Sequence, residues 1–167
     1  MMAEDIGLSQ WVIELIDGIF AESDKWLIDT FQKCLRIKEV RTEVPDYGFE
    51  WAIQTLFADA LIRRQTEFGI SNLRINQTIR GGGNARPDIA FDKGADLVVL
   101  ELKAVAGGSL GWTEGDVRKV YPNAKAVFFL TVSYPFERGW SNRLDGATFV
   151  TEGRLREGFR YSLFKKI

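Results

Sequence analysis

Residues 87–103 read PDIAFDKGADLVVLELK, and this stretch decides the fold. Pro87–Asp92 and Leu97–Ala104 both alternate in the period of two that is typical of strands. Between them, Lys93–Asp96 has the composition of a four-residue hairpin loop. The stretch therefore predicts two antiparallel strands joined by a tight turn.

The register of this hairpin brings charged side chains together. If Asp92 faces Leu97 across the turn, Asp88 faces Glu101, and Lys103 emerges on the same face as Glu101. Two carboxylates directly opposite each other destabilise a sheet unless a proton or a cation lies between them. Oxygen ligands of this kind suit Mg²⁺ or Mn²⁺.

The segments on either side predict the rest of an α/β fold. Upstream, helical spacing predicts helices over 8–22, from Ser23 or Asp24 to Leu35, and over Tyr47–Arg64 with Asp46 as N-cap. Downstream, the patterns predict a strand over Asn72–Ile79, a Thr113-capped helix over Glu114–Tyr121, a buried strand over Ala124–Val132, a helix or turn near Phe136–Leu144, and edge strands through Phe149–Val150 and Phe159–Phe164. This order predicts one domain with a mixed central sheet flanked by helices.

Glu50 adds a third acid on the helix before the sheet. It lies on the same stripe as Ile53, Phe57 and Leu61, so we expect it to point toward the core side of its helix. A buried carboxylate needs a partner, and the cation between Asp88 and Glu101 is one candidate.

The composition excludes several kinds of active site. The 167 residues include no histidine and one cysteine, which excludes His-based triads, His zinc sites and intrachain disulfides. The net charge is −1, but residues 1–60 carry five Lys/Arg against twelve Asp/Glu, and residues 61–167 carry seventeen against eleven. No apolar run approaches the ~20 residues of a membrane span. Residues 1–5 are acidic, unlike a secretory signal, so we expect a cytoplasmic protein.

These residues resemble a known family. Pro87-Asp88, twelve intervening residues and Glu101-Leu102-Lys103 resemble the PD-(D/E)XK nuclease superfamily in its ELK form. The predicted α-β-β-β-α-β order over about 47–132 resembles the common core of that superfamily. The resemblance implies a restriction-endonuclease-like fold and an Mg²⁺- or Mn²⁺-dependent nuclease, with a DNA endonuclease as the leading form. In this interpretation residues 46–132 are the catalytic core, 1–45 a helical extension and 133–167 a β-rich extension.

The resemblance also implies a role for each matched residue. Asp88 and Glu101 bind the divalent metal, and the backbone carbonyl of Leu102 completes the metal site. Lys103 assists the attacking water, and Glu50 binds the metal directly or through water.

Basic residues near the motif are candidates for nucleic-acid binding. Superfamily members often carry a polar or basic residue on the helix after the third strand, and Arg118 and Lys119 both suit that position. Arg80 and Arg86 flank a Gly81–Gly83 loop and are either phosphate ligands or ordinary surface charges. The C-terminal segment offers a further basic strip, or a charged edge that prevents strand aggregation, formed by Arg154, Arg156, Arg160, Lys165 and Lys166.

Two other functions remain open at this point. One is a catalytically inactive nuclease-fold module that binds nucleic acid, which the weak overall basicity favours. The other is a protein-interaction module whose acidic residues 1–60 complement a basic partner. A homodimer is a further option, because the apolar helices over 8–38 suit an interface as well as a cover for the sheet.

Overall fold

A computed structural model of the chain describes residues 3–40, 47–79, 85–105, 110–133, 142–155 and 159–167. These residues form an α/β fold with a six-stranded mixed sheet flanked by helices. The helices are α1 (Ala3–Val40), α2 (Tyr47–Arg63), α3 (Gln65–Phe68) and α4 (Glu114–Arg118). The strands are β1 (Ile70–Ile75), β2 (Ile89–Lys93), β3 (Asp96–Val105), β4 (Ala124–Ser133), β5 (Ala147–Arg154) and β6 (Arg160–Lys166). In these ranges, no helix combines the length and the apolar character that a membrane crossing requires.

The sheet has the strand order β1-β2-β3-β4-β6-β5. β1, β2 and β3 form an antiparallel meander, and β4 pairs with β3 in parallel after the connection through α4. β6 returns from its hairpin with β5 to pair with β4, so it lies inside the sheet. The prediction that both C-terminal strands are edge strands is therefore wrong for β6 and confirmed for β5.

The β2–β3 hairpin has the predicted register but a shorter turn. Asp92 pairs with Leu97, as expected from the sequence. Lys93 also pairs with Asp96, so the turn contains two residues rather than four. Its first residue, Gly94, has φ +63°, a conformation that glycine adopts without the steric cost of a Cβ.

The N-terminal segment is one continuous helix, and the prediction of two helices separated at Ser23 is wrong. No proline interrupts the segment, and a serine inside a helix costs only roughly 0.5 kcal/mol relative to alanine. The first half of α1 buries an apolar stripe that belongs to the core, formed by Val12, Leu15, Ile16, Ile19 and Phe20. This half covers the sheet, which is one of the two roles expected of it.

Two other elements end earlier than predicted. β1 ends at Ile75 rather than Ile79, because Asn76 has φ +53° and turns the chain out of the strand. α4 ends at Arg118, because Lys119 has extended backbone with ψ 133°. Both breaks are local backbone events that the hydrophobic period does not reveal.

Several predictions fall wholly or partly outside the described residues, Arg80, Gly81–Gly83 and Arg156 among them. Asp46, the predicted N-cap of α2, lies outside them. So does most of the helix or turn predicted near Phe136–Leu144, of which residues 142–144 are described and are not helical.

Apolar side chains cover both faces of the sheet. One cluster joins α1 and α2 to one face, here called the α2 face, and includes Ile53, Phe57, Val98, Leu100 and Phe128. The other lies beneath α4, on the α4 face, and includes Val99, Val117, Tyr121, Phe129 and Phe164. Because side chains alternate along a strand, Glu101 and Lys103 share the α4 face with Val99, as predicted.

Candidate active site

The site lies where β2 begins and β3 continues beyond it. The last backbone pair of the hairpin joins Ile89 to Leu100, whereas β3 runs on to Val105. Beyond that pair, carboxylates rather than β2 backbone carbonyls accept hydrogen bonds from the N–H groups of β3. Asp88 Oδ2 accepts a hydrogen bond from the Leu102 N–H at 2.8 Å, and Glu50 Oε2 accepts one from the Ala104 N–H at 3.5 Å.

Asp88 and Glu101 meet as the register predicts. The Asp88 N–H donates to Glu101 Oε2 at 3.3 Å, and Gln54 Nε2 donates to Asp88 Oδ1 at 3.1 Å. Burial, and next the negative charge of Glu101, raise the pKa of Asp88 to about 7. The side chain therefore holds a proton more readily than an ordinary aspartate, as expected for two acids in contact and shielded from solvent.

Glu101 is deeply buried on the α4 face, with 3% of its surface exposed. Tyr121 OH donates a hydrogen bond to Glu101 Oε1, and the Lys119 ammonium lies 3.9 Å from the same oxygen. Burial, followed by the hydrogen bond to Glu101, raises the pKa of Tyr121 well above its ordinary value. Tyr121 is therefore a neutral hydrogen-bond donor that holds the carboxylate in place.

Lys103 is held by α4 on the same face. Its ammonium lies 3.3 Å from Asp116 Oδ2 and 5.3 Å from the centre of the Trp112 ring. Asp116 is fixed in turn by a capping box, in which its carboxylate accepts from the Thr113 N–H and the Thr113 hydroxyl accepts from the Asp116 N–H. Partial burial acts to raise the pKa of Asp116, but the hydrogen bonds that its carboxylate accepts from the Thr113 N–H and hydroxyl, together with the Lys103 charge, outweigh it and lower the pKa.

Glu50 reaches the site from the opposite face of the sheet. It lies in the first turn of α2, where the helix dipole favours an acid. Burial raises the pKa of Glu50, and the nearby Lys103 ammonium opposes that rise. Among the described residues, no group of three or more Asp, Glu, Cys or His side chains is gathered closely enough to hold a metal ion. The prediction that Glu50 joins Asp88 and Glu101 on one cation therefore has no support from this arrangement.

The two remaining acids and one backbone group fit a divalent metal. In a strand, the N–H and C=O of one residue point to the same side, so the Leu102 carbonyl faces the strand edge that its N–H shares with Asp88. Mg²⁺ binds oxygen and takes one or two carboxylates from a protein while keeping several waters. Asp88 is half-buried against the buried Glu101 and its pKa is raised, so a cation bound here would balance the charge of the two acids.

The predicted nucleic-acid ligands have four different positions. Lys119 reaches the site through Glu101, whereas Arg118 is exposed and pairs with Glu114 along α4. Arg86 is exposed and precedes the start of β2, outside the paired part of the hairpin, which ends at Ile89 and Leu100. Arg80 lies outside the described residues.

Sequence reasoning missed three side chains that hold the site together. Gln54 lies one helical turn after Glu50, a spacing that places both on one side of α2. Asp116 follows the Thr113 cap by three residues, the spacing of a capping box. Tyr121 had no signal of this kind, because its contact with Glu101 joins residues that lie twenty positions apart.

Comparison with known proteins gives no match to a family model, to a curated protein or to a solved structure. The geometry of the site and the sequence motif are therefore the basis for assigning a function.

Proposed function

We propose that this protein is a Mg²⁺- or Mn²⁺-dependent nuclease with a restriction-endonuclease-like core, acting on DNA as a cytoplasmic endonuclease. The observation that carries the proposal is the contact between the half-buried Asp88 and the buried Glu101, with Lys103 two residues further on the same face. Titratable groups that are clustered, buried and shifted in pKa are typical of functional sites.

The order of elements around the site supports the proposal. α2, β1, β2, β3, α4 and β4 follow one another as a core of α-β-β-β-α-β type, with the short α3 inserted before β1. The motif residues lie at the open end of the β2–β3 hairpin, away from its turn. Both features agree with the resemblance to the PD-(D/E)XK superfamily.

Asp88, Glu101 and the Leu102 carbonyl would hold the metal. A bound Mg²⁺ or Mn²⁺ supplies Lewis-acid polarisation of a phosphoryl oxygen and activation of water. Gln54 and the Leu102 N–H orient the Asp88 carboxylate, and Tyr121 orients that of Glu101. Such supporting hydrogen bonds set the ligand geometry of metal sites.

Lys103 and Lys119 supply positive charge to the phosphate. In hydrolysis, a water oxygen forms a bond to phosphorus, the ester P–O bond breaks and the leaving oxygen takes a proton. An ammonium donor near the phosphoryl group stabilises the negative charge that develops in the transition state. Asp116 holds Lys103 against Trp112, so the ammonium is positioned before a substrate arrives.

A catalytically inactive module on the same fold is the second candidate. The specific observation in its favour is that Lys103 pairs with Asp116 while Tyr121 and Lys119 contact Glu101. These charges balance one another within the chain. Such a module would bind nucleic acid or a protein partner without turnover.

The test is cleavage of supercoiled plasmid, linear DNA, branched DNA and RNA in Mg²⁺ or Mn²⁺. The variants are Asp88→Asn and Lys103→Ala, and their controls are Asp59→Asn and Lys125→Ala, which change an exposed acid and an exposed lysine. We expect the wild type and both controls to cut DNA and both site variants to lose at least about 100-fold in rate.

Three other outcomes would contradict the proposal in different ways. Cleavage that survives Asp88→Asn would show that another site does the chemistry. Nucleic-acid binding with no cleavage on any substrate would favour the inactive module. Cleavage of RNA but not of DNA would show that the substrate is RNA, while the proposed metal-dependent mechanism would still hold.

A further inference from the structure

Two arginines face each other across the hairpin at the far end of the sheet. Arg154 on β5 pairs directly with Arg160 on β6, and Arg160 pairs directly with Ser133 on β4. Side chains of directly paired residues lie on one face of the sheet. Arg160 and Phe164 are four residues apart on β6, so their side chains lie on the same face of the sheet. Phe164 belongs to the α4 face, and the arginine row therefore lies on the face that also carries the candidate active site.

The charges of this row are not balanced within the described chain. Like charges directly opposite each other destabilise a strand pair. Neither Arg154 nor Arg160 forms an ion pair with a carboxylate in the described ranges. Glu152 shares the face, two residues before Arg154, but it too forms no ion pair there. An anion between the two guanidinium groups would relieve the repulsion.

Ser133 supplies a second and independent observation. Its side chain is 1% exposed, and its hydroxyl has no hydrogen-bond partner among the described residues. Buried hydroxyls are normally hydrogen-bonded, and one without a partner calls for an external group or a functional explanation. It lies beside Arg160 in the register, so it points to the same face as the unpaired cations.

The row lies on the same face of the sheet as Lys103, with the buried Thr131 and Ser162 between them. Thr131 pairs with Lys103 on one side and with Ser162 on the other, one step before the Ser133–Arg160 pair. β3 and β6 are separated by two strand spacings, which is about 10 Å. An extended polyanion with one phosphate at Lys103 can therefore span the two strands and bring a further phosphate to the arginine row.

We propose that Arg154, Arg160 and the Ser133 hydroxyl bind a backbone phosphate of the nucleic acid, beside the phosphate at Lys103. This inference rests on the proposed function, because it assigns a second contact to the same substrate. Guanidinium groups bind phosphate through paired hydrogen bonds, and a hydroxyl donor completes the set of ligands. A contact to phosphate carries no sequence information, so the row would hold the strand without regard to sequence. Arg154 and Arg160 are thus the two residues of the basic C-terminal strip to which we assign phosphate binding.

The test is binding of a labelled DNA duplex in EDTA, so that no cleavage occurs, across a series of salt concentrations. Arg154→Gln and Arg160→Gln are compared with Arg63→Gln, which removes the same charge from α2 on the other face. We expect each row variant to bind about tenfold more weakly and to reduce the salt slope of log K by about 0.9, whereas the control stays at the wild-type values.

Ser133→Ala separates binding from folding. Removing a buried hydroxyl that has no partner leaves stability unchanged or raises it, while the variant binds DNA more weakly if the hydroxyl contacts phosphate. Thermal melting of all four variants checks that each is folded. Binding of the three row variants equal to that of Arg63→Gln would overturn the inference.

Failure of this inference and failure of the proposed function give different results. A wild type that cuts DNA, with row variants of unchanged affinity and rate, would overturn the phosphate contact alone. Row variants that lose binding in a protein that cuts nothing would support the contact and overturn the nuclease. No DNA binding by the wild type would overturn both.

Discussion

The Asp88 backbone N–H donates a hydrogen bond to the Glu101 carboxylate at 3.3 Å, at the point where the hairpin ladder ends. The Asp88 carboxylate in turn accepts a hydrogen bond from the Leu102 N–H at 2.8 Å. Each acid is therefore tied to the backbone of the other strand. These two hydrogen bonds keep the carboxylates close together in spite of their repulsion.

Metal-free protein should lose stability as the pH rises from about 4 to about 7. An ordinary aspartate has a pKa of about 4 when unfolded, whereas burial and Glu101 raise the pKa of Asp88 to about 7 in the folded protein. The folded state thus binds more protons over this interval, and raising the pH favours unfolding. The loss is on the order of 3 kcal/mol.

Urea unfolding in EDTA across this pH range measures the effect. Asp88→Asn cannot titrate, so we expect its free energy of unfolding to change less with pH than that of the wild type. Parallel pH profiles for the two proteins would contradict the raised pKa.

Divalent metal should stabilise the folded protein through Glu101. Binding to the folded state alone adds about 2.7 kcal/mol when the metal is at 100 times its Kd, which raises Tm by roughly 5–10 °C in a domain of this size. We expect Mn²⁺ to raise the Tm of the wild type and of the exposed-acid control Asp59→Asn, but not that of Glu101→Gln. An equal rise in Glu101→Gln would place the metal elsewhere.

Asp116 should act by positioning Lys103. Asp116→Asn keeps an acceptor for the Thr113 cap but removes the charge that faces the ammonium at 3.3 Å. We expect kcat to fall about tenfold, the size typical of lost supporting contacts, with KM unchanged within about twofold. Glu114→Gln, an exposed change on the same helix, is the control. A change in Tm without a change in kcat would indicate a purely structural role.

Two glycines should respond to alanine in opposite directions. A Cβ at Gly153 would overlap the Tyr161 ring, whose hydroxyl donates to Asp17 on α1, so we expect a loss of about 2–3 kcal/mol. A Cβ at Gly18 meets no atom within 4 Å and lies inside a helix, so we expect a gain of about 0.5–1 kcal/mol. Thermal melting measures both, and a Gly153→Ala protein of unchanged stability would contradict the packing of the Tyr161 ring against Gly153.

Strand period and turn composition were sufficient to predict the hairpin and its register. The pairing of Asp92 with Leu97, and hence the meeting of Asp88 with Glu101, needed only those two local signals. The α/β class followed from the order of helical and strand patterns. The break expected at Ser23 was wrong, because capping residues also occur inside helices, where their cost is small.

The sequence by itself determined which acids are present and that histidine is absent. It also determined that Glu101 and Lys103 share a face, because alternation along a strand is a local property. The partners of those residues were decided only by the tertiary structure. Tyr121 reaches Glu101, and Arg160 lies between Ser133 and Arg154, through contacts between strands and connections distant in the chain. Such contacts depend on strand order, which no local period encodes, because it is set by how the whole sheet buries its two faces.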